Sequence, residues 1–146
     1  MRELVADLWE VPAFARVITT NGTVRKDGKL VMGRGCAYEA TLKYTDIAKR
    51  LGAQIQQHGL HVVAFDFPDQ LPIIAFPVKY NYWELADLSL IYQSTKELVE
   101  ITDFMGWTEV VMPRPGCGNG HRDWEHEVLP IARLMLDDRF VVVHKE

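Results

Sequence analysis

The chain has 146 residues, of which 48% are hydrophobic and 25% are charged. This length and composition are typical of one globular domain with a buried core, and they disfavour a disordered chain. The formal net charge of -4 disfavours binding to duplex nucleic acid through a broad field of Lys and Arg. Lys43, Lys49 and Arg50 form a local basic patch, which is compatible with an end-on contact with a nucleic acid.

Cysteine usage and the apolar runs indicate the cellular setting. Cys36 and Cys117 are far apart and form neither a CxxC nor a Cys/His ligand pattern, which disfavours a disulfide framework or a zinc site. The first residues lack the cationic and apolar stretches of a signal peptide, and no apolar run approaches the ~20 residues needed to cross a bilayer. We therefore expect a cytoplasmic monomer with no membrane partner, no bound metal and no cofactor.

In chain order, the apolar runs predict six strands and the segments with helical periodicity predict three helices. The strands are expected near Glu3–Ala6 (a weaker run), Phe14–Thr20, Leu60–Phe65, Ile73–Pro77, Glu109–Met112 and Phe140–Val143, and the helices over Cys36–Leu51, Glu84–Phe104 and Asp123–Leu136. This alternation predicts an α/β fold with a mostly parallel sheet and helices on both faces. We find neither a repeat nor a linker, so one domain is expected over residues 1–146.

In sheets of this kind, ligands bind outside the carboxyl ends of the strands, where the strand-to-helix loops lie. The first such loop begins with Asn21 and, after a polar excursion, reaches Gly33 and Gly35 at a predicted helix start. Glycines at that place allow an anion to approach the free N–H groups of the first helical turn. By itself this pattern more often marks a plain turn.

The second loop, Pro113–Gly120, has alternate glycines at positions 116, 118 and 120 and again lies between a strand and a helix. Three glycines so spaced offer a concave run of backbone N–H donors that suits phosphate oxygens. Neither loop matches a P-loop or the GxGxxG dinucleotide motif. Two such loops on neighbouring strands could hold a diphosphate from both sides through the backbone.

Several motifs together resemble the macro domain family. They are Asp7-Leu8 after the first strand, Asn21 after the next, Met-Gly-Arg-Gly-Cys-Ala at residues 32–37, and Pro-Arg-Pro-Gly-Cys-Gly-Asn-Gly at residues 113–120, and they occur in the family's order over nearly the whole chain. The segment Phe76-Pro77-Val78-Lys79, followed by Trp83, is similar to the branch of ADP-ribosyl-glutamate hydrolases and of antitoxins that remove ADP-ribose from DNA bases. The resemblance implies a three-layer α/β/α fold around a mixed, mostly parallel sheet.

The resemblance also implies roles for individual residues. Asp7 would accept a hydrogen bond from the adenine amino group, and Leu8 would offer its backbone N–H. The first phosphate loop would comprise Gly33, Arg34, Gly35 and Cys36. The distal phosphate and ribose would be held by Gly116, Cys117, Gly118, Asn119 and Gly120. Asn21 would bind the hydroxyls of that ribose and take part in catalysis, and Lys79 would act at the anomeric carbon.

Two features depart from the branch that the chain resembles. Its hydrolases carry an acidic residue where this chain has Gly120, so Lys79 lacks that partner unless Asp123 reaches the site. The stretch between Asn21 and Met32 is also longer than usual. Asp123 is better explained as a first-turn acid favoured by the helix dipole, and packing explains both cysteines better than nucleophilic catalysis does.

The expected ligand is ADP-ribose or an ADP-ribosylated substrate, with an ADP-ribosylated nucleic acid among the possibilities. The leading hypothesis is a hydrolase that removes ADP-ribose from a protein or nucleic-acid adduct, or cleaves ADP-ribose 1″-phosphate. The alternative is a binding module without turnover, which Gly120 favours. The sequence leaves the leaving group open among glutamate, phosphate and a nucleobase.

Overall fold

The computed structural model describes residues 1–145. Its strands are β1 (Arg2–Val5), β2 (Ala15–Thr20), β3 (Val63–Phe65), β4 (Ile73–Pro77), β5 (Val110–Pro113) and β6 (Phe140–His144). Its helices are α1 (Gly35–Lys43), α2 (Ile47–His58), α3 (Leu88–Met105) and α4 (Leu129–Met135), and a π-helical turn over Trp124–Val128 leads into α4.

The six strands form one sheet in the order β1-β6-β5-β2-β4-β3. Every neighbouring pair is parallel except β3 and β4, which are antiparallel. The predicted mixed, mostly parallel sheet is therefore confirmed. In the centre, β2 lies between β4 and β5, and Val17 pairs with Ile74. The carboxyl ends of β2, β4 and β5 consequently meet at one edge of the sheet.

Helices cover both faces of the sheet. On one face, the largest core cluster joins strand residues such as Phe76 and Val142 to Leu98 of α3 and Ala132 of α4. On the other face, Ile18 and Ile73 pack with residues of α1 and α2. Burial of apolar side chains on both faces stabilises this arrangement. The structure thus confirms the predicted three-layer α/β/α fold.

The helix predicted over Cys36–Leu51 is wrong as one element, because the structure divides it into α1 and α2. Helix α1 ends at Lys43, Tyr44 has extended backbone (φ -125°), and Asp46 adopts a left-handed conformation (φ +62°). The side chain of Tyr44 is buried against Phe67, with the ring centroids 4.8 Å apart. The apolar periodicity persists across the break because both helices cover the same face of the sheet.

The other two predicted helices differ from the structure at their starts, because both α-helices begin later than expected. Residues 84–87 form a loop, and α3 starts where the Asp87 carboxylate caps the helix by accepting from Leu90 N at 3.0 Å. The segment after Asp123 starts as a π-helical turn before α4. Pro130 lies in the first turn of α4, and its lack of an N–H removes one α-helical hydrogen bond from that junction.

Within residues 1–145, no helix has both the length and the apolar character that crossing a membrane requires.

Candidate functional site

A cleft of about 680 Å³ opens at the carboxyl edge of the sheet. The loops after β2, β4 and β5 form its walls. It is lined by Thr19, Thr20, Asn21, Val31, Met32, Gly33, Arg34, Gly35, Cys36, Ala37, Val78, Lys79, Tyr82, Trp83, Glu84, Leu85, Pro113, Arg114, Gly116, Gly118, Asn119, Gly120 and His121. The two glycine loops, which lie about 80 residues apart in the sequence, therefore face one cavity.

The first glycine loop leads directly into the amino end of α1. Arg34 has the extended backbone of an N-cap residue, and its side chain does not cap the first turn of this helix. Gly35 has φ +59°, a conformation that residues with a Cβ rarely adopt. The first N–H groups of α1 are thus available to an anion in the cleft, which the helix dipole would favour.

The three glycines of the second loop have different structural functions. Gly116 has φ +73°, and a Cβ there would lie 2.8 Å from the Cδ1 atom of Ile91 in α3. A Cβ at Gly120 would lie 2.5 Å from the carbonyl oxygen of Gly116. Gly118 has neither constraint, since its Cβ position meets open space. Close packing therefore requires glycine at 116 and 120, whereas at 118 a side chain would reach only solvent or the cleft.

The second loop is fixed to the start of α3 and contacts the first loop. Ala86 N donates to Gly120 O at 3.0 Å, and Arg122 Nε donates to Ala86 O at 2.7 Å. On the opposite side, a Cβ at Gly35 would lie 3.1 Å from Asn119 Nδ2. The two loops thus approach each other across the cleft, as holding one diphosphate would require.

Lys79 lies two residues beyond the end of β4, and its side chain enters the cleft. The residue is only 9% exposed. Its Nζ donates to the carbonyl oxygen of Asn119 at 3.2 Å. Burial lowers the pKa of the Lys79 ammonium, and the nearby positive charge of Arg34 lowers it further. This lysine is therefore biased toward its neutral form compared with a solvated lysine.

Asn21 follows β2 and is also buried in the lining. Its Nδ2 donates to Val31 O at 2.9 Å, and its Oδ1 accepts from Thr23 N at 2.9 Å. Thr23 in turn accepts a hydrogen bond through Oγ1 from Tyr82 N at 3.1 Å. Asn21 thereby orders the long loop that precedes Met32. One amide hydrogen and one oxygen lone pair remain for a ligand.

The outer rim of the cleft carries exposed aromatic side chains. Tyr82 is 52% exposed and Trp83 is 68% exposed, and their rings meet edge to face with centroids 5.2 Å apart. Glu84 lies beside them, and its Oε1 accepts from both the backbone and the side-chain nitrogen of Asn81, at 2.7 and 2.9 Å. Tyr80, also exposed, lies outside the lining.

Three of the residues expected to bind ligand lie outside this lining: Asp7, Leu8 and Cys117. The Asp7 carboxylate accepts from Trp9 N at 2.9 Å and lies 3.8 Å from Lys145 Nζ. Leu8 is buried with Val141 and Val143, so only its backbone could contact a ligand. The roles predicted for Asp7 and Leu8 remain predictions about a region next to the cleft.

The cysteine thiols are positioned as packing groups. Sγ of Cys36 lies 3.4 Å from both the N and the Oγ1 atoms of Thr19. Cys117 Sγ donates to Pro115 O at 3.3 Å. Burial raises the pKa of the Cys36 thiol, and burial raises the pKa of Cys117 to about 11. Both thiols therefore stay protonated near neutral pH and are poor nucleophiles.

Within residues 1–145, no acidic side chain lies next to Lys79 at the position where the sequence resemblance implied a partner. At Gly120 the backbone of Gly116 occupies the space that a Cβ would need. Asp123 is exposed and caps the π-helical turn, with Oδ2 2.8 Å from Nδ1 of His126. Within residues 1–145, Glu84 supplies the single carboxylate of the lining.

The lining carries the cations Arg34, Lys79 and Arg114 against the carboxylate of Glu84. A positive cleft in a chain of net charge -4 favours an anionic ligand. The sequence analysis did not identify Arg114, Glu84 or His121 as site residues. Arg114 lies within the motif of residues 113–120, but no role was predicted for it. Glu84 lies in a segment predicted as helix, and His121 directly follows the second glycine loop with φ +59°.

The structure is similar to solved macrodomain structures. The macrodomain of Mycobacterium tuberculosis DarG matches with a TM-score of 0.81 and 21% identity, covering 99% of this chain and 97% of that chain. The macrodomain of Thermus aquaticus DarG gives 0.81 and 22%, with the same coverage of 99% and 97%. Thermosipho africanus DarTG in complex with ADP-ribose gives 0.78 and 17%, covering 94% of this chain and 39% of that one.

No protein-family model matches the sequence, and no curated protein matches it. At identities of 17–22% the structural likeness establishes the fold. The chain has the macrodomain fold, as the sequence motifs predicted.

Proposed function

We propose that the cleft binds ADP-ribose and that the protein hydrolyses the bond between ADP-ribose and an attached group. The observation that carries this proposal is the placement of one buried amine, Lys79 Nζ, between two glycine loops that can hold a diphosphate. A solved DarTG structure that shares this fold contains ADP-ribose. The cations of the lining provide the complementary charge for the two phosphates.

The positions of the two loops support one orientation of the ligand. The diphosphate would lie against the N-terminus of α1 and against the backbone around Gly118, and the adenine would extend toward Asp7. The distal ribose would then lie near Asn21 and Lys79, which are both buried in the lining. A bound ribose would have its anomeric carbon on the side of the exposed Tyr82 and Trp83. An attached group would leave through that open mouth.

Cleavage at the anomeric carbon passes through an oxocarbenium-like transition state, so the site must orient the ribose and supply a nucleophile. In the first route, the neutral Lys79 amine, whose fraction the lowered pKa increases, attacks this carbon as the bond to the attached group breaks. Water then hydrolyses the ribosyl-lysine bond and releases ADP-ribose. In the second route, Lys79 acts as a general acid, and a water held by the diphosphate and Asn21 attacks. Both routes use Lys79 at the reacting centre.

The second candidate function is an ADP-ribose-binding module without turnover. One observation favours it: position 120 has no space for an acidic side chain, and Asp123 is used as a helix cap. Lys79 would then serve only to complement the charge of the ligand.

Substrate turnover distinguishes the two candidates. The protein is incubated with ADP-ribosylated protein, with ADP-ribosylated DNA and with ADP-ribose 1″-phosphate, and released ADP-ribose is quantified. Release from one substrate, lost in Lys79→Ala, supports the hydrolase and identifies the leaving group. Binding of ADP-ribose in calorimetry without any release supports the binding module. Failure of ADP-ribose to bind at millimolar concentration contradicts both.

A further inference from the structure

A second cavity of about 420 Å³ lies away from the cleft and shares no lining residue with it. It is lined by Trp9, Arg16, Lys43, Tyr44, Gln70 and Leu71. Arg16 is the second residue of β2, Leu71 precedes β4, and Lys43 is the last residue of α1. These positions place the cavity toward the amino ends of the strands, opposite the edge where the cleft opens.

Arg16 is an unusual residue for a central strand, because it is only 8% exposed and carries a full charge. Its Nη1 atom donates to the carbonyl oxygens of Leu8 and Val11. Within residues 1–145, no carboxylate forms an ion pair with it. A buried cation normally requires a paired anion, because removal of the charge from water is costly. Burial lowers the pKa of Arg16, while the neighbouring Tyr44 side chain and the charge of Asp7 raise it.

Lys43 adds a second cation to the same cavity. Its Nζ lies 5.3 Å from the ring centroid of Trp9, and the Arg16 guanidinium lies 5.8 Å from the same centroid. No acidic residue belongs to the lining. The Trp9 Nε1 atom is buried, and in the described part of the chain it has no hydrogen-bond partner. Two cations and the Trp9 indole therefore surround one cavity.

We propose that this cavity is a second anion site, in which Arg16 and Lys43 bind a phosphate group with the Trp9 indole beside them. A terminal phosphate carries about -1.5 to -2 charge at neutral pH, which matches two cations better than a carboxylate does. Guanidinium and ammonium groups both bind phosphate through charge-assisted hydrogen bonds. The phosphate comes either from a free anion or from the 5′ end of a nucleic-acid strand.

The indole N–H signals of the ¹⁵N-labelled protein test this site directly. The chain has four tryptophans, and Trp9→Phe assigns the Trp9 signal by its loss. Inorganic phosphate is titrated at constant ionic strength, and a tetranucleotide is titrated with either a 5′-phosphate or a 5′-hydroxyl. The Trp83 indole reports the cleft in the same spectra, so binding at the two cavities is resolved.

We expect a saturable shift of the Trp9 signal that persists when ADP-ribose saturates the cleft. Saturation with inorganic phosphate assigns the site to a free anion, and saturation only with the 5′-phosphorylated tetranucleotide assigns it to a strand end. An equal response to the 5′-hydroxyl tetranucleotide, or no shift with any probe, overturns the proposal.

Lys43→Met should weaken phosphate binding by about tenfold or more, because one charge-assisted contact is lost. Lys49→Met is the matched control, since Lys49 is exposed on α2 and outside the lining. A parent-like titration of Lys43→Met contradicts the site. Arg16→Met removes the buried cation. If that variant fails to fold, the titration of Lys43→Met still tests the site, because Lys43 is exposed.

Discussion

Lys79 Nζ donates to the backbone oxygen of Asn119 at 3.2 Å, which joins the loop after β4 to the glycine loop after β5. The contact places an amine directly beside the backbone that would surround the distal phosphate and ribose. It also uses one of the three ammonium hydrogens and leaves the others for a ligand. This relationship makes Lys79 the residue whose substitution is most informative.

Lys79→Ala should abolish most turnover on the true substrate and leave the affinity for ADP-ribose within about threefold. Lys79 would act where bonding changes in the transition state, whereas the adenine and diphosphate contacts stay intact. Single-turnover rates measure the loss of catalysis, and calorimetry measures the affinity for ADP-ribose. Lys29→Ala is the control, because Lys29 lies outside the cleft lining. A parent-like rate for Lys79→Ala would favour a water activated near Asn21 instead.

The pKa of Lys79 should lie below its ordinary value of 10.5, because burial and the charge of Arg34 both disfavour the ammonium form. A titration of the Lys79 Cε resonance by NMR measures it, and Arg34→Gln should raise it toward 10.5 by removing the second cause. Since the folded pKa is lowered, the charged amine destabilises the fold below that pKa. Lys79→Met should therefore increase the free energy of unfolding at pH 7, and the gain should shrink as the pH rises toward 10.5. An unchanged Lys79 pKa in Arg34→Gln would show that the two cations do not interact.

Gly118 and Gly120 form a matched pair that separates ligand space from packing. Gly120→Ala should destabilise the protein by about 1–3 kcal/mol, because its Cβ would overlap the Gly116 carbonyl. Gly118→Val should leave the fold intact, since its Cβ meets open space, and should weaken ADP-ribose binding by about tenfold or more by filling the cleft. Denaturant unfolding and calorimetry measure the two effects. A stable Gly120→Ala variant would show that this loop relaxes.

Asp7→Ala should weaken ADP-ribose binding by about 1.5–3 kcal/mol if the carboxylate accepts from the adenine amino group. Asp7 lies outside the lining, so this variant tests whether the ligand extends beyond the cleft as described. Affinity for ribose 5-phosphate, which lacks adenine, should not change. Equal losses for both ligands would indicate that Asp7 acts by holding the Trp9 backbone.

Replacement of both thiols, as Cys36→Ala with Cys117→Ala, should preserve most of any turnover. The raised pKa values of the two buried thiols keep them protonated, and alkylation at pH 7 should accordingly be slow. Turnover rates before and after treatment with an alkylating reagent show whether either thiol takes part in the reaction. Rapid loss of activity upon alkylation of the parent, absent in the double variant, would make a cysteine part of the reaction.

Local sequence patterns were sufficient to predict the strands and the positions of the two glycine loops. Apolar runs bounded by turn residues predicted β4 over Ile73–Pro77 with the bounds that the structure has. Helix boundaries were less predictable, because periodicity continues across the break at Asp46 and across residues 84–87. A left-handed residue or a capping carboxylate ends or begins a helix without altering the apolar pattern.

By itself the sequence determined the α/β architecture and the candidate phosphate loops, since both depend on short-range patterns of apolar residues and glycines. Only the tertiary structure decided what surrounds Lys79 and Gly120. Burial and the charge of Arg34, which lies 45 residues from Lys79 in the sequence, lower the pKa of the amine. The path of the loop from Gly116 to Gly120 brings the Gly116 carbonyl to the place that a Cβ at position 120 would need. The same holds for Arg16, which forms no ion pair within residues 1–145 and whose burial depends on the packing of β2 beneath Trp9. Electrostatics and steric exclusion depend on distances in space, which residue order alone does not specify.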